Sequence, residues 1–453
     1  MARSRFRIVI AGGGVAGLEA LLALRALAGT IPHITLVTSA VQTVDRPATV
    51  AEPFDRGVAP TRDVAAIAAD HGAELHLDRL AAVDAQRRVV VLGGGDELPY
   101  DALIVATGAG ALRALDGAVA FRGPDDVDEM RAVRDALLSG EVGSVAFALP
   151  GESTWPVPLY ELALMTGADL LAAGVDAAVT IVTPEPSPLA LFGPSAAEAL
   201  APRMAERRVV ARTGVRPVAV QPGRLALSDG GTVPADRVVA MPAVVGRPPT
   251  GLPSDAAGFV PVDAHGRVAG LDGVYAAGDV TAFPLKQGGL AAQQADAAAE
   301  AVAAQMGVAV DPQPFRPVVR GMLLIGGAPL YLRAEIGAGE GMAEAVASTS
   351  TASAQALWWP PAKVAARYLG PYLATARPRM LAPQALVDRA APERPPAEGD
   401  REAALGLALA LADGDARWGD YAAAVRALDA AETLAGSLPP EYVAKRERWR
   451  TAR

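Results

Sequence analysis

Residues 5–27 read "RFRIVIAGGGVAGLEALLALRAL". An apolar run of strand length meets a glycine turn, and apolar residues at helical spacing follow. Gly12, Gly14 and Gly17 give G-x-G-x-x-G in the strand–turn–helix setting where that spacing carries meaning. The first glycine permits the tight turn, the second lets the backbone approach a pyrophosphate, and the third lets helix pack on strand. The phosphates then sit on the free N–H groups of Val15, Ala16 and Gly17, at the positive end of the helix. A dinucleotide-binding turn is expected; a glycine-rich loop of some other α/β protein is the competing reading. The next strand, "HITLVTSA" (33–40), should end in an acid that holds ribose hydroxyls, but Thr38 and Ser39 stand there. A hydroxyl serves the same contact more weakly than a carboxylate.

The bulk composition has an ordinary soluble globular balance. The chain has 453 residues, half of them apolar and a fifth charged, enough for two to four domains. A net charge of -9 without a Lys/Arg block argues against nucleic acid as a partner. No apolar run reaches the roughly 20 residues that span a bilayer. The amino-terminal apolar run is followed at once by glycines, so it reads as a first strand and a cytoplasmic protein is expected. Cysteine is absent, which removes disulfides, thiolate metal sites and any mechanism that needs a protein thiol. The four histidines, His33, His71, His76 and His265, show no ligand spacing, and no metal is expected.

Two further motifs follow in order. "LPYDALIVATGAG" (98–110) is a buried strand ending in Ala106-Thr107-Gly108. "GLDGVYAAGDVTAFPLKQGGLAAQQADAAAEAVA" (270–303) is a strand, then Gly278-Asp279, a turn and a long alanine-rich helix. Taken with the glycine turn, these make the chain resemble the flavoproteins with two dinucleotide-binding domains, the pyridine nucleotide-disulfide oxidoreductase superfamily. That group includes type II NADH dehydrogenases, sulfide:quinone oxidoreductases and ferredoxin reductases, and the resemblance covers about residues 5 to 380.

The resemblance implies an FAD-dependent oxidoreductase, with FAD held by the first and third motifs. The Gly12/Gly14/Gly17 turn would hold the pyrophosphate, Ala106, Thr107 and Gly108 would close over the cofactor, and Gly278-Asp279 would meet its ribityl or pyrophosphate part. Gln287, Gly288 and Gly289, at the start of the alanine-rich helix, would point at the pyrimidine end of the flavin, where the positive helix end favours negative charge. "VDRPATVAEPF" (44–54) matches the loop beside the ring, with Arg46 and Pro47 nearest. Lys286 would stabilise negative charge on the flavin, or else be a solvated loop lysine.

Between the two FAD-binding pieces lies a second strand–turn–helix series. "FRGPDDVDEMRAVRDALLSGEVGSVAFALP" (121–150) resembles the lead-in helix and strand before a nicotinamide glycine turn. "DAAVTIVTPEPSPL" (176–189) resembles the next strand, with Glu185 just past its end, and residues 223–252 resemble the closing hairpin and crossover. The fingerprint itself is broken. "FALPGESTWPVPLYELAL" (147–164) carries Pro150, Pro156 and Pro158, which remove N–H donors from a phosphate cradle, and Trp155 fills the approach. The turn resembles that of the sulfide:quinone branch, with Trp155 where the redox cysteine would be. The expected reading is a turn rebuilt around the flavin face, and the alternative is a degenerate domain kept for folding. Trp155 is then expected beside the flavin ring, sharing a pocket with the Trp358–Trp359 segment. Glu161 is a candidate general base if it faces the flavin; otherwise Tyr160 and Glu161 are a packing aromatic and a helix-starting acid. Trp155, Glu161 and Lys286 are the candidates for a catalytic part.

In the last third, "FRPVVRGMLLIGGAPLYLRAEIG" (315–337) reads as two strands joined at Gly326-Gly327. "SAQALWWPPAKVAARYLGPYLATARPRML" (353–381) interleaves Trp358, Trp359, Tyr368 and Tyr372 with Lys363, Arg367, Arg377 and Arg379. In the resembling family this region caps the flavin, lines a quinone entrance and touches the membrane. Aromatic and basic residues suit such an interface, and equally a buried cap with a solvated basic face. Residues 387–400 are a charged, proline-rich linker. The tail beyond weakly resembles one tetratricopeptide repeat, which should dock on the body or on a partner protein because one repeat cannot bury its own face.

The expected fold is α/β, with two Rossmann-like three-layer domains, a C-terminal α+β cap and a helical tail. The divisions are 1–112 and 251–310 for the FAD-binding domain, 113–250 for the second Rossmann domain, 311–385 for the cap, 386–400 for the linker and 401–453 for the tail. The expected function is passage of electrons from an unidentified donor through FAD to a quinone-like or other small acceptor, without a redox cysteine. Two alternatives stand beside it: an NAD(P)H:acceptor reductase with an atypical nicotinamide site, and a non-catalytic flavin-binding sensor or partner protein. Membrane contact is expected to be at most peripheral, on the inner face, and a homodimer is left open.

Overall fold

A computed structural model describes residues 5–112, 115–151, 155–336, 347–375 and 437–451, with single positions between 409 and 432. Two five-stranded parallel sheets dominate it. In the first, strands run in the order 274–276, 102–105, β1 (Arg7–Ala11), β2 (His33–Thr38) and β5 (Glu74–Leu77). All neighbours are parallel, and Ile8, Ile10, Ile34, Leu36, Leu103 and Ile104 are fully buried, as strands covered on both faces must be. Two helices pack closely together on one face: α1 (Val15–Ala28) and α6 (Gly288–Gln305). Alanines at the contact, among them Ala20, Ala23, Ala295, Ala298 and Ala299, let their axes approach. A short hairpin, β3 (Gln42–Val44) with β4 (Thr61–Asp63), leads into α2 (Val64–Asp70).

The second parallel sheet has the order 119–120, 237–240, 144–148, 178–182 and 209–212. Helices α3 (Val127–Leu138), α4 (Val157–Ala173) and α5 (Pro194–Glu206) belong to it. The series read from sequence is therefore present, and strand 237–240 enters the middle of the sheet as a crossover. The three-stranded sheet of 217–221, 224–227 and 232–234 accounts for the closing hairpin.

Strands 318–323 and 330–336 pair antiparallel with Leu323 opposite Leu330, so the Gly326-Gly327 segment is their turn. Strand 347–353 completes a three-stranded sheet. This sheet shares one apolar core with α4, through Leu162, Met322, Leu332 and Trp358. The chain then reaches helix α7 (Leu369–Thr375), whose start is anchored far back in sequence. Tyr368 and Leu369 donate their N–H groups to the Glu19 carboxylate on α1 at 2.8 and 2.6 Å.

Trp358, Lys363 and Tyr368 are buried and Arg367 is exposed, while Arg377 and Arg379 lie outside the described residues. No helix among the described residues is long and apolar enough to cross a membrane. The 387–400 linker and most of the tail also lie outside the described residues; in the tail, Ala412, Leu428, Ala431 and Leu438 gather with Leu409, Tyr442 and Trp449.

Candidate cofactor site and the altered second turn

Three strand ends meet at one place. Gly12 donates to Val37 O at 2.7 Å, Ala106 donates to Ala11 O at 2.7 Å, and Ala277 donates to Val105 O at 3.0 Å. These bonds set the glycine turn, the Ala106–Gly108 segment and the Gly278–Asp279 segment side by side, although they are about 170 residues apart at the extremes of the last two. The glycines are required by contact. Gly12 has φ of +129°, and a Cβ there would lie 2.1 Å from Ala106 O. At Gly17 a Cβ would lie 1.7 Å from Gly12 O, which no shift of a side chain relieves.

Gly14 is different, because no heavy atom lies within 4 Å of where its Cβ would be. It caps α1 in extended backbone without any side-chain cap, so the first N–H groups of that helix face open space. An opening bounded by helix N–H groups suits a pyrophosphate. Gly108 opens onto space in the same way, whereas a Cβ built on Gly278 would lie 3.0 Å from Ala16 Cβ and 3.4 Å from Ala291 Cβ. Its N–H donates to Gln294 Oε1 at 2.7 Å, which joins the third motif to the middle of α6.

Charged groups line the same region. Burial raises the Asp279 carboxyl, while the positive charges of Lys286 and Arg46 oppose that rise. Arg46 begins the 46–54 segment with Pro47, and its side chain lies against Gly123. Lys286 is not a solvated loop lysine, contrary to the alternative left open from sequence. It is 9% exposed, donates to Thr281 O and Phe283 O at 2.5 and 2.7 Å, and sits 3.7 Å over the Phe259 ring. Burial lowers its pKa to about 8. Gln287 caps α6, accepting from Leu290 N at 2.8 Å and donating to Arg320 O at 3.1 Å. Val364 packs 3.0 Å from a Cβ built on Gly288, so the cap segment lies over the start of that helix.

The ribose pair divides. Thr38 is buried and its hydroxyl closes a local turn, donating to Ala40 O at 3.1 Å and accepting from Ala40 N at 3.3 Å. Ser39 is exposed. Of the two hydroxyls, only Ser39 faces solvent at this sheet end.

The second turn is built otherwise. Residues 152–154 lie outside the described residues, but both flanks are clear. Pro156 precedes α4, Pro158 stands in its first turn, and Leu159 N already donates to Pro156 O at 3.0 Å. Just past the neighbouring strand end, Glu185 accepts from Tyr160 Oη at 2.7 Å and from Thr183 Oγ1 at 2.9 Å. An acid at this point of a Rossmann unit would hold the nucleotide's ribose. Here a tyrosine from the helix start occupies it.

Trp155 is half-buried, with its ring edge-on to Phe192 at 5.8 Å. Trp358 instead packs edge-on to Tyr331 at 5.2 Å and donates to Ala362 O at 3.0 Å. Both belong to one apolar cluster, yet each indole has its own aromatic partner. Glu161 is not a helix-starting acid held by the dipole. It is fully buried, pairs with Lys363 and accepts from Leu324 N at 2.7 Å, while its Oε2 is shielded from solvent without a partner. Burial raises the Glu161 carboxyl and the Lys363 charge draws it back. Lys363 also donates to Met322 O at 3.1 Å. The Glu161–Lys363 and Tyr160–Glu185 pairs were not legible from sequence, since nothing local marks partners 202 and 25 residues apart.

Two parallel α/β units, with a glycine turn on the first and an antiparallel sheet closing over both, define a flavoprotein of the two-dinucleotide-domain class. The model of the pyridine nucleotide-disulphide oxidoreductase family matches residues 6–304, and the chain belongs to that family. Its cofactor is FAD, and Gly14, Gly108, Arg46 and Asp279 fit that group. Peroxisomal monodehydroascorbate reductase 1 of Oryza sativa subsp. japonica is 31% identical over 48% of this chain and 46% of its own length. The chain thus spans about half the length of that relative. An NADH dehydrogenase-like protein of Mycobacterium tuberculosis is 28% identical over 61% of this chain and 73% of its own. The fold is also that of the sulfide:quinone oxidoreductase of Aquifex aeolicus, with a TM-score of 0.67 at 21% identity over 77% of this chain and 86% of that one.

Two outcomes follow from this geometry. Gly14→Val should fold, because its side chain enters open space, but should purify without flavin; Gly17→Val should fail to fold because it meets backbone. Absorbance at the flavin bands and a melting curve separate the two. Burial pushes the Glu185 carboxyl up to about 7, so the folded state binds its proton more tightly than the unfolded state does. Stability linked to this group is present at low pH and is lost as pH rises between about 4.5 and 7. Glu185→Gln should therefore gain on the wild type by about 1–3 kcal/mol between pH ~5 and ~8, read from urea denaturation at each pH.

Proposed function

We propose that the protein passes electrons from a donor other than NAD(P)H, through FAD, to a quinone-like or other small acceptor, without a redox cysteine. When bound, FAD supplies the two-electron chemistry, and the protein supplies binding, orientation and charge. The observation that carries this reading is the Tyr160–Glu185 hydrogen bond at 2.7 Å. It engages an acid just past the strand end, where a Rossmann unit holds the nucleotide's ribose, beside a turn whose prolines carry no N–H donors. The absence of cysteine from the chain excludes a persulfide or flavin–thiol relay.

In this reading the glycine turn holds the pyrophosphate, and the positive end of α6 favours negative charge at the pyrimidine end. Where its Oε2 side faces the flavin, Glu161 holds the proton that accompanies the electrons. Its Oε1 is fixed by Lys363 and Leu324 N, and its buried, unpartnered Oε2 is the atom from which a proton is exchanged. Trp155 and the Trp358–Trp359 segment bound the acceptor's approach. Domain limits at 112, 250, 310 and 385, cytoplasmic placement with at most peripheral membrane contact, and docking of the tail on the body or a partner belong to the same proposal.

The alternative of an NAD(P)H:acceptor reductase has support in the NADH dehydrogenase-like relative. The two readings separate in a stopped-flow experiment. NADH and NADPH should bleach the flavin far more slowly than enzymatic turnover, whereas a rate of roughly 10 per second or more would establish the alternative. Glu161→Gln should slow acceptor-driven reoxidation by about 10²- to 10⁴-fold and remove its pH dependence, while leaving the FAD content unchanged. Unchanged reoxidation in that variant would remove Glu161 from the mechanism.

A further inference from the structure

Two acids meet inside the alanine-lined contact of α1 with α6. Glu19 on α1 is fully buried, and its two oxygens accept from Tyr368 N and Leu369 N at 2.8 and 2.6 Å. One carboxylate therefore fixes the start of α7. Asp296 on α6 is hydrogen-bonded to that same carboxyl, and its Oδ1 is shielded from solvent without a partner. Among the described residues neither acid forms an ion pair; the exposed Arg367 pairs with Glu300 instead, at 3.3 Å.

A hydrogen bond between two carboxyls needs a proton, because carboxylates only accept. Like charges in contact in the interior cannot both ionise, so the pair keeps a proton between them. Two backbone N–H donors favour the anion at Glu19, which leaves Asp296 to carry the proton and donate it. Burial raises both carboxyls, and the Glu19 charge raises Asp296 further, with Arg367 opposing and Glu300 adding to the rise. The other titratable groups around this point are engaged. Glu300 also accepts from Gln313 N at 2.9 Å, and burial pushes the Tyr368 phenol up to about 12. Tyr372 Oη donates to Asp70 at 2.5 Å, with the His71 ring edge-on to Tyr372 at 5.3 Å.

The chain held at Glu19 also covers the start of α6. A Cβ on Gly288 would lie 3.0 Å from Val364, and one on Gly289 would lie 3.3 Å from Ala365 O. We propose that the Glu19–Asp296 pair is a proton-operated latch, which holds residues 364–369 on α1 and α6 while it keeps its proton and releases them on losing it. Loss of the proton leaves two charges facing each other in an apolar contact, and opening to water relieves both. Opened to water, both acids are ionised above about pH 5, whereas the closed pair is protonated. Closure is thus firmest in acid and weakens as pH rises through neutrality, by about 10-fold per pH unit for each proton released. Release would uncover the end of α6 that the proposed function gives to the flavin, although the latch itself depends on no donor or acceptor.

Hydrogen exchange of the Tyr368 and Leu369 amides in the purified holoprotein tests this, followed from about pH 5 to about pH 8 and corrected for the intrinsic rate. Their protection should fall by at least about 10-fold per pH unit, while the amides of Ile8 to Ile10 in β1 keep theirs. Asp296→Asn keeps a donor to Glu19 but has no proton to lose, so its fall should be shallower by about 10-fold per pH unit. Glu300→Gln, outside the pair, should keep the wild-type slope. Should Asp296→Asn fail to fold, Glu19→Gln, which also leaves one acid, is read in its place. A wild-type slope retained in the pair variant, flat protection in the wild type, or an equal loss in β1 would each overturn the latch and leave the two acids as a fixed bond.

Discussion

The structure depends on the close contact of Gly17 with Gly12 O and of Gly12 with Ala106 O. These contacts let helix α1 start hard against the sheet and bring the ends of β1 and strand 102–105 together. A methyl group at either glycine would hold the elements apart, and the N–H groups at the start of α1 would no longer face the opening beside Gly14. Everything else at the cofactor site is arranged around that fixed point. Helix α6 lies on α1 through small side chains, and a Cβ on Gly278 would press on both helices, 3.0 Å from Ala16 and 3.4 Å from Ala291. Packing of this density explains why one short motif determines where three distant segments meet.

In the function proposed above, the second unit keeps the same architecture without an anion cradle. Pro156 and Pro158 carry no N–H, and Leu159 N is bonded to Pro156 O. Tyr160 reaches the half-buried Glu185 just past the neighbouring strand end. One helical residue further on, Glu161 turns the other way and joins α4 to the cap through Lys363 and Leu324. Neighbouring residues on one helix thus tie the second sheet to its own strand end and to the antiparallel sheet. A buried pair of this kind is weak evidence for stability, because desolvation offsets the attraction. Its unpartnered Oε2 is the reason to assign it a chemical role.

Much of the fold was legible in the sequence because its signals are local. The glycine turn, the Ala106–Gly108 and Gly278–Asp279 strand ends and the Gly326-Gly327 hairpin each declare themselves within about 15 residues. The site was legible only where a backbone motif makes it. Side-chain pairings between distant segments carry no local signature, so Glu161 with Lys363, and Tyr160 with Glu185, required the folded chain. Thr38 shows a subtler limit: its type and position suit a ribose contact, yet its hydroxyl is spent on its own turn. Lys286 shows the converse, a loop residue in sequence that the fold buries over Phe259.

The central claim is that the second unit keeps the Rossmann framework while lacking a nicotinamide nucleotide site. Calorimetric titration of the oxidised holoprotein with a non-reducing NADH analogue, 1,4,5,6-tetrahydro-NADH, tests it most directly because no electron transfer intervenes. The account predicts no saturable binding up to about 1 mM. Saturable binding with a Kd of about 10 μM or tighter, abolished by a bulky substitution at Gly151, would contradict it.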